Sequence, residues 1–317
     1  DLSNYEKAEE ICRRQVLDYH INDADGILLL GDIFLEWGTE KDPAKLESAR
    51  EQYATLIQLY RSNMLYEGRM MRYFIRTDNL PEVLTLKEYF LPKEKNLPPE
   101  DWTELSGYML DKLYGPLAPS DEYLRNYIED VKLLLTRAYK LDSQNPVAAY
   151  NLSRYFIETN ESTAAKSTLI DTLDKFKKSS QLKRRDLYKY IDTYRLAGEE
   201  YAKAQEFLRA QEHYTDGITL YTAERDASGL QGNVKIGQLF ADQADMDYFI
   251  TGDYDNALQN YISSVELEND SPSIRYKIGY IQYKKKNYSE ALGSFMKAGD
   301  GNIKETNLML AMGNTLS

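Results

Sequence analysis

"TGDYDNALQNYISSVELENDSP" (residues 251–272) and "KKNYSEALGSFMKAG" (residues 285–299) carry one pattern: an aromatic, Ala-Leu three residues on, and a second aromatic four beyond the alanine. The two alanines, Ala257 and Ala291, are 34 residues apart. Aligned on them, the stretches read Tyr254-Ala257-Tyr261-Ser264 and Tyr288-Ala291-Phe295-Ala298. Steps of three, four and three put all four residues on one face of a helix. Small residues on that face predict a second helix at close range, with the aromatics filling the space on either side. An upstream apolar helix carries Ile278 and Gly279, and Gly313 in "LAMGNTLS" repeats Gly279 after a further 34 residues.

The same face recurs upstream. Phe207-Ala210-Tyr214-Gly217 follows a helix bearing Tyr194, Ala197, Gly198 and Tyr201, and Ser162-Ala165-Leu169-Thr172 follows one bearing Leu152, Ser153 and Phe156. Ile128-Val131-Leu135-Ala138 follows Trp102, Leu105, Ser106 and Met109, and Leu46-Ala49-Tyr53-Leu56 follows Ile27, Leu30, Gly31 and Phe34. With Val83 and Ala8, the small-residue anchors stand at 8, 49, 83, 131, 165, 210, 257 and 291, spaced by 41, 34, 48, 34, 45, 47 and 34. A helical solenoid of longer repeats would account for the spacings of 41 to 48, but not for three of 34.

This pattern resembles the tetratricopeptide repeat (TPR), a pair of antiparallel helices that stacks into a superhelix. The resemblance covers nearly the whole chain. It implies an all-α fold: a right-handed superhelical solenoid of antiparallel helix pairs, with about eight repeats read from the eight anchors and incomplete at both ends. Lys87 departs from it where an aromatic is expected, as do Asn269 and Ser143 where the family ends a repeat with Pro. The expected organisation is one continuous solenoid: N-terminal repeats over 1–93, an irregular joint plus central repeats over 94–181, and C-terminal repeats over 182–317.

The nine prolines fall in predicted connections or near helix starts, and five crowd into residues 92–119, which predicts the irregular joint there. "KFKKSSQLKRR" (residues 175–185) predicts an exposed helix–helix connection. Residues 3–19 read as a second helix lacking its first, and residues 304–316 as a first helix lacking its second. The chain is therefore expected to be cut from a longer protein, or to use its ends as interfaces, including for self-association.

Composition narrows the function classes. Hydrophobic residues make up 42% of the 317, enough for a sizeable core, yet no apolar run approaches the roughly 18 residues of a membrane span. No targeting signal is visible, so the compartment stays open: periplasmic, membrane-anchored in a longer protein, or cytoplasmic. A net charge of −12 repels phosphate backbones and argues against nucleic acid. The single Cys12 leaves no internal disulfide and no Cys-x-x-Cys metal site. Tyrosine is abundant, 27 against 9 Phe and 2 Trp, which suits shallow cores and interfaces where a ring packs and its hydroxyl stays wet.

Catalytic signals are missing. The two histidines, His20 and His213, stand apart, and no phosphate-binding glycine loop, nucleophile elbow or calcium-loop spacing occurs. No enzyme, metal or cofactor is expected. Two basic runs, Lys177 to Arg185 and Lys284 to Lys286, are either solvated surface or a docking patch for an acidic segment. In TPR arrays the first helix of each pair lines the concave groove. That resemblance implies groove positions at Arg72, Arg76, Tyr150, Asn151, Arg154, Tyr276, Lys277, Tyr280, Tyr283 and Lys284. Tyr mixed with Arg or Lys is the chemistry of binding hot spots. The expected function is a non-enzymatic protein–protein interaction scaffold gripping a peptide or helix of a partner protein. The alternative is a structural building block of a large assembly, contacting neighbours through its ends and convex face. The acidic, Tyr-rich composition resembles the TPR proteins of spirochaetal periplasmic flagellar structures.

Overall fold

The structure is a computed structural model that describes residues 4–93, 97–115, 130–179, 182–300 and 315. Among them all regular secondary structure is helical. The chain divides into two compact units, Asp1–Glu158 and Thr159–Ser317. The first holds α1 (Tyr5–Cys12), α2 (Ala24–Glu40), α3 (Lys45–Leu59), α4 (Met64–Arg76), α5 (Leu80–Phe90), α6 (Pro99–Tyr114), α7 (Val131–Leu141) and α8 (Pro146–Glu158). The second holds α9 (Ser162–Lys178), α10 (Arg184–Lys203), α11 (Phe207–Ser228), α12 (Val234–Met246), α13 (Tyr254–Glu266), α14 (Pro272–Lys284) and α15 (Tyr288–Asp300). Successive helices pack as hairpins: α2 on α3, α4 on α5 and α6 on α7, then α10 on α11, α12 on α13 and α14 on α15. The expected all-α fold of antiparallel pairs is what forms.

The anchors explain the pairing. Ala49, Val83, Val131, Ala165, Ala210, Ala257 and Ala291 are all buried. Four residues on, Tyr53, Lys87, Leu135, Leu169, Tyr214, Tyr261 and Phe295 are buried too. In three pairs the ring at that second place lies against a glycine of the partner helix: Tyr53 on Gly31, Tyr214 on Gly198 and Phe295 on Gly279. A Cβ added to Gly31 would come within 2.6 Å of Tyr53, and one added to Gly279 within 2.6 Å of Phe295. Lys87 keeps its stem in the core and reaches Glu88 at 3.1 Å and Asp130 at 3.5 Å. In this way an ammonium ends up where an aromatic was expected.

A second regularity lies in the turns. Asp78, Asn160, Gln205, Gly252 and Lys286 all have positive φ, between 54° and 71°. Each stands five residues before a buried anchor, at the turn from a first helix into its second. None is β-branched, as the left-handed region requires. Helix starts are closed by side-chain caps, among them Asp23 on Gly26 N (2.6 Å), Asn233 on Ile236 N (3.1 Å) and Asp253 on Asn256 N (3.1 Å). Pro81, Pro99, Pro146 and Pro272 lie in first turns, where a missing N–H costs nothing.

The basic stretch 175–185 departs from expectation. α9 runs on through Lys178, held by Asp171–Lys175 and Asp174–Lys178 pairs one turn apart, so only residues 179–183 connect it to α10. Likewise Pro99–Tyr114, inside the expected irregular joint, is an ordinary helix. Ile128, Pro116, Pro119, Gly313 and the half-repeat expected over 304–316 lie outside the described residues.

The cores are satellites along each unit. One gathers Phe34, Leu30 and Tyr53 under α2 and α3, with Trp37 at its edge stacked on Tyr5 (6.0 Å). The largest surrounds the fully buried Trp102 with Met109, Leu134 and Phe90. In the second unit Ile274, Ile278 and Ile281 of α14 join Ala257 and Tyr261.

Two stability predictions follow from this geometry. An alanine at Gly279 would regain about 1 kcal/mol of helix propensity, so Gly279→Val is the cleaner probe of the close approach. It is expected to cost about 1–3 kcal/mol by overpacking against Phe295, read as a lowered midpoint in urea. At Gln205 (φ 61°) the sign should depend on the substituent. Gln205→Gly should hold or raise the midpoint and Gln205→Val should lower it, by about 1–2 kcal/mol.

Candidate protein-binding surface

The first helices of successive pairs touch one another, α2 with α4, α4 with α6, α6 with α8, and α10 with α12. Their polar residues therefore meet across helix boundaries. In the first unit Arg69 of α4 bridges Asp32 of α2 (3.0 Å) and Asp101 of α6 (3.3 Å). Arg72, one turn on, donates to the same Asp101 and reaches Glu100 at 3.3 Å. Arg76 grips both carboxylate oxygens of Glu104, at 2.9 and 3.0 Å. Burial opposes the charge of Arg72, but Asp101, Glu104 and Glu100 outweigh it and hold its pKa above the ordinary value. For Asp101 burial dominates and raises the carboxyl against the pull of Arg72 and Arg69.

On α8, Asn151 is buried and donates from Nδ2 to the carbonyl of Thr103 (3.2 Å), above Gly107, where a Cβ would stand 2.7 Å from that nitrogen. Arg154 pairs with Asp111 (2.7 Å) and lies 5.6 Å over the ring of the buried Tyr150. All five expected groove residues of this unit thus sit on first helices. Arg72, Arg76, Asn151 and Arg154 bind the neighbouring first helix.

In the second unit Lys277 of α14 pairs with Asp245 of α12 (2.5 Å). Its ammonium also lies 5.4 Å over the rings of Phe249 and Tyr261. Tyr276, Tyr280 and Tyr283 form one half-buried stripe against the Ala291–Phe295–Ala298 cluster of α15. Tyr276 meets Phe295 at 5.7 Å, Tyr280 meets Tyr248 at 6.2 Å and Tyr283 meets Tyr288 at 5.8 Å. Lys284 is exposed, its ammonium 5.3 Å from the Tyr280 ring.

One arrangement occurs in both units. Tyr53 donates its hydroxyl to Asp32 (2.8 Å), which Arg69 of the next first helix also binds. Tyr261 donates to Asp245, which Lys277 of the next first helix also binds. A second-helix tyrosine, a first-helix carboxylate and the next pair's cation thus link neighbouring repeats. Burial and the adjacent carboxylate push both hydroxyls far above the usual range, so they remain donors.

Sequence reasoning missed Arg69, Asp32, Asp101 and the α10–α12 cluster. The steps of three and four through Arg69, Arg72 and Arg76 mark one stripe of α4, a signal that was available. In the second cluster Asp192 is buried and accepts from Arg195 (2.9 Å) and Lys235 (3.4 Å). Asp242 has only Arg195 at 4.0 Å among printed ion pairs. Burial raises its pKa from 3.8 to about 7, helped by Glu199 and Asp245 and opposed by Arg195 and Lys277.

The groups with reactive side chains are occupied structurally. Cys12 is buried, its sulfur 3.4 Å from the Gly26 carbonyl, and burial pushes the thiol up. His213 stacks on Tyr201 (5.2 Å) and burial lowers its pKa, so it is neutral at pH 7. Among the described residues no three His, Cys, Asp or Glu gather as a metal site, and no helix is long and apolar enough to cross a membrane.

Residues 247–292, spanning the π-helical turn Asp247–Thr251, α13, α14 and the start of α15, match the family model described as TPR repeat. No curated protein matches the chain. Among solved structures, the apo form of RapI aligns with a TM-score of 0.59 at 15% identity, covering 91% of this chain and 82% of that one. A tetratricopeptide repeat protein from Parabacteroides merdae ATCC 43184 aligns at 0.49 and 13% identity, covering 93% and 99%. The chain is a tetratricopeptide-repeat protein.

Asp242 generates a pH prediction. Its carboxyl holds a proton to about pH 7 when folded, whereas the ordinary value is 3.8. Between those values the folded state binds more protons than the unfolded one, so stability from this group falls as pH rises. Asp242→Asn removes that loss. It should melt higher than the parent at pH 8 and alongside it near pH 4; an equal offset at both pH values would show that Asp242 does not titrate this way.

Proposed function

We propose that this protein is a non-enzymatic protein–protein interaction scaffold whose first helices hold a peptide or helix of a partner. The tyrosine stripe of α14 carries the reading. Tyr276, Tyr280 and Tyr283 are only half-buried although their helix already fills its core positions with Ile274, Ile278 and Ile281. Rigid rings with wet hydroxyls beside Lys277 and Lys284 suit an extended or helical ligand, the ring contributing area and the cation direction. Arg72, Arg76, Tyr150, Asn151 and Arg154 line the corresponding helices of the first unit, with their inter-helix bonds keeping that face in register.

A second reading, a building block of a larger assembly, has its own observation. Ile170, Ile262 and Met296 each stand five residues after an anchor on a second helix, and all three are exposed. A recurring apolar position on the outer helices suits contact with neighbouring proteins.

The test starts from partners recovered by cross-linking the protein in its own cell extract. Tyr280→Ala should weaken the recovered partner by on the order of 2 kcal/mol, while the melting curve barely moves. Loss of folding with normal binding by the folded remainder would make the stripe core and remove it from the site. Retained binding in Tyr280→Ala together with loss in Met296→Ser would favour the building block.

A further inference from the structure

The ion pairs that join the first helices of the first unit share a polarity. Arg72 has 10% of its side chain exposed against 67% for its partner Glu100. Arg154 has 21% against 60% for Asp111. The order is the same in Arg69–Asp32, Arg76–Glu104 and Lys112–Asp78. In each pair the cation lies along the helix packing with its stem buried and the carboxylate stands outward. The reverse holds on α1, where Arg13 and Arg14 stand further out than Glu9 and Glu10. The orientation therefore belongs to the face formed by α2, α4, α6 and α8.

A row of pairs aligned this way presents negative potential to anything approaching that face, even though each pair is neutral. The background adds to it, because residues 1–158 carry 28 Asp and Glu against 19 Lys and Arg. The arginines that the sequence offered as hands for an acidic ligand are already closed on Asp101, Glu104 and Asp111. The second unit lacks this polarity: Lys235 is far more exposed than its partner Asp192.

We propose that the first-helix face of residues 1–158 is a docking surface for a basic segment of a partner protein, with Lys or Arg side chains of that segment seated against Asp32, Asp78, Glu100 and Asp111. This deepens the scaffold reading and rests on it, since it assumes that first helices are the ligand face. Phosphate-bearing ligands are repelled by the same carboxylates, which leaves protein as the partner class.

The test uses the full chain and two fluorescein-labelled 12-residue peptides, one of alternating Lys and Ala and one of alternating Glu and Ala. Binding is followed by anisotropy at low and high salt. The Lys peptide should bind about tenfold tighter than the Glu peptide at low salt, with the difference shrinking as salt rises. Glu100→Gln with Asp111→Asn should weaken the Lys peptide about fivefold, whereas Glu6→Gln with Glu10→Gln, which removes the same charge from α1, should leave it within about twofold. Thermal melts confirm that both double variants are folded. Tighter binding of the Glu peptide, no binding of either, or equal weakening by the two double variants overturns the proposal. The scaffold reading is decided separately by Tyr280→Ala with its recovered partner, so the two can fail independently.

Discussion

Everything in this structure depends on how closely two helices of a pair can approach. A glycine on the first helix removes the Cβ that would hold them apart, and a ring on the second lies against the exposed backbone. Gly31 with Tyr53, Gly198 with Tyr214 and Gly279 with Phe295 are three instances of this contact. Because interiors are packed at crystal-like density, the ring cannot shift to accommodate even a methyl without moving its neighbours. The close approach also decides where the ring's far end arrives. At Tyr53 the hydroxyl reaches Asp32, a residue that is bound in turn by the next repeat. At Phe295 there is no hydroxyl to do so. The hairpin and its attachment to the following hairpin are thus two ends of one side chain.

The attachment between repeats is electrostatic as well as apolar. Arg72 and Asp101 are both buried, and removing such charges from water costs about as much as their attraction returns. Their contribution is better described as register than as net stability. An arginine fork closed on Glu104 or Asp101 fits only one alignment of α4 against α6, where apolar ridges alone would tolerate sliding. The same pairs, by turning their carboxylates outward, give the first unit its surface sign.

The sequence was read most easily where one residue type recurs for one physical reason. Ala257 and Ala291 lie where a side chain has no room, so the spacing of 34 exposed the repeat directly, and the anchors it located are buried. The turns were hidden for the opposite reason. Asp78, Asn160, Gln205, Gly252 and Lys286 share a backbone angle and no chemistry, so nothing in their identities marks a common slot. Composition misled at Lys175, where a run of lysines looked like a connection but is helical because each partner aspartate is one turn away. The candidate surface was legible only as a set of helix positions. Arg72 and Arg76 were placed on the right helix, but their partners are 28 residues further along on another one, and single-helix periodicity carries no information about that meeting.

The placement of the two tryptophans has an optical consequence. Trp102 is sealed in the core of the first unit and Trp37 stacks on Tyr5 at the edge of the same unit, while residues 159–317 hold none. Indole emission is therefore a native label for residues 1–158 and is blind to the other half of the chain. Ellipticity in the far ultraviolet, which counts helices wherever they lie, sees both. A denaturation followed by the two signals together separates the melting of one unit from the other without any added dye. It would also show whether a ligand that shifts one transition leaves the second untouched.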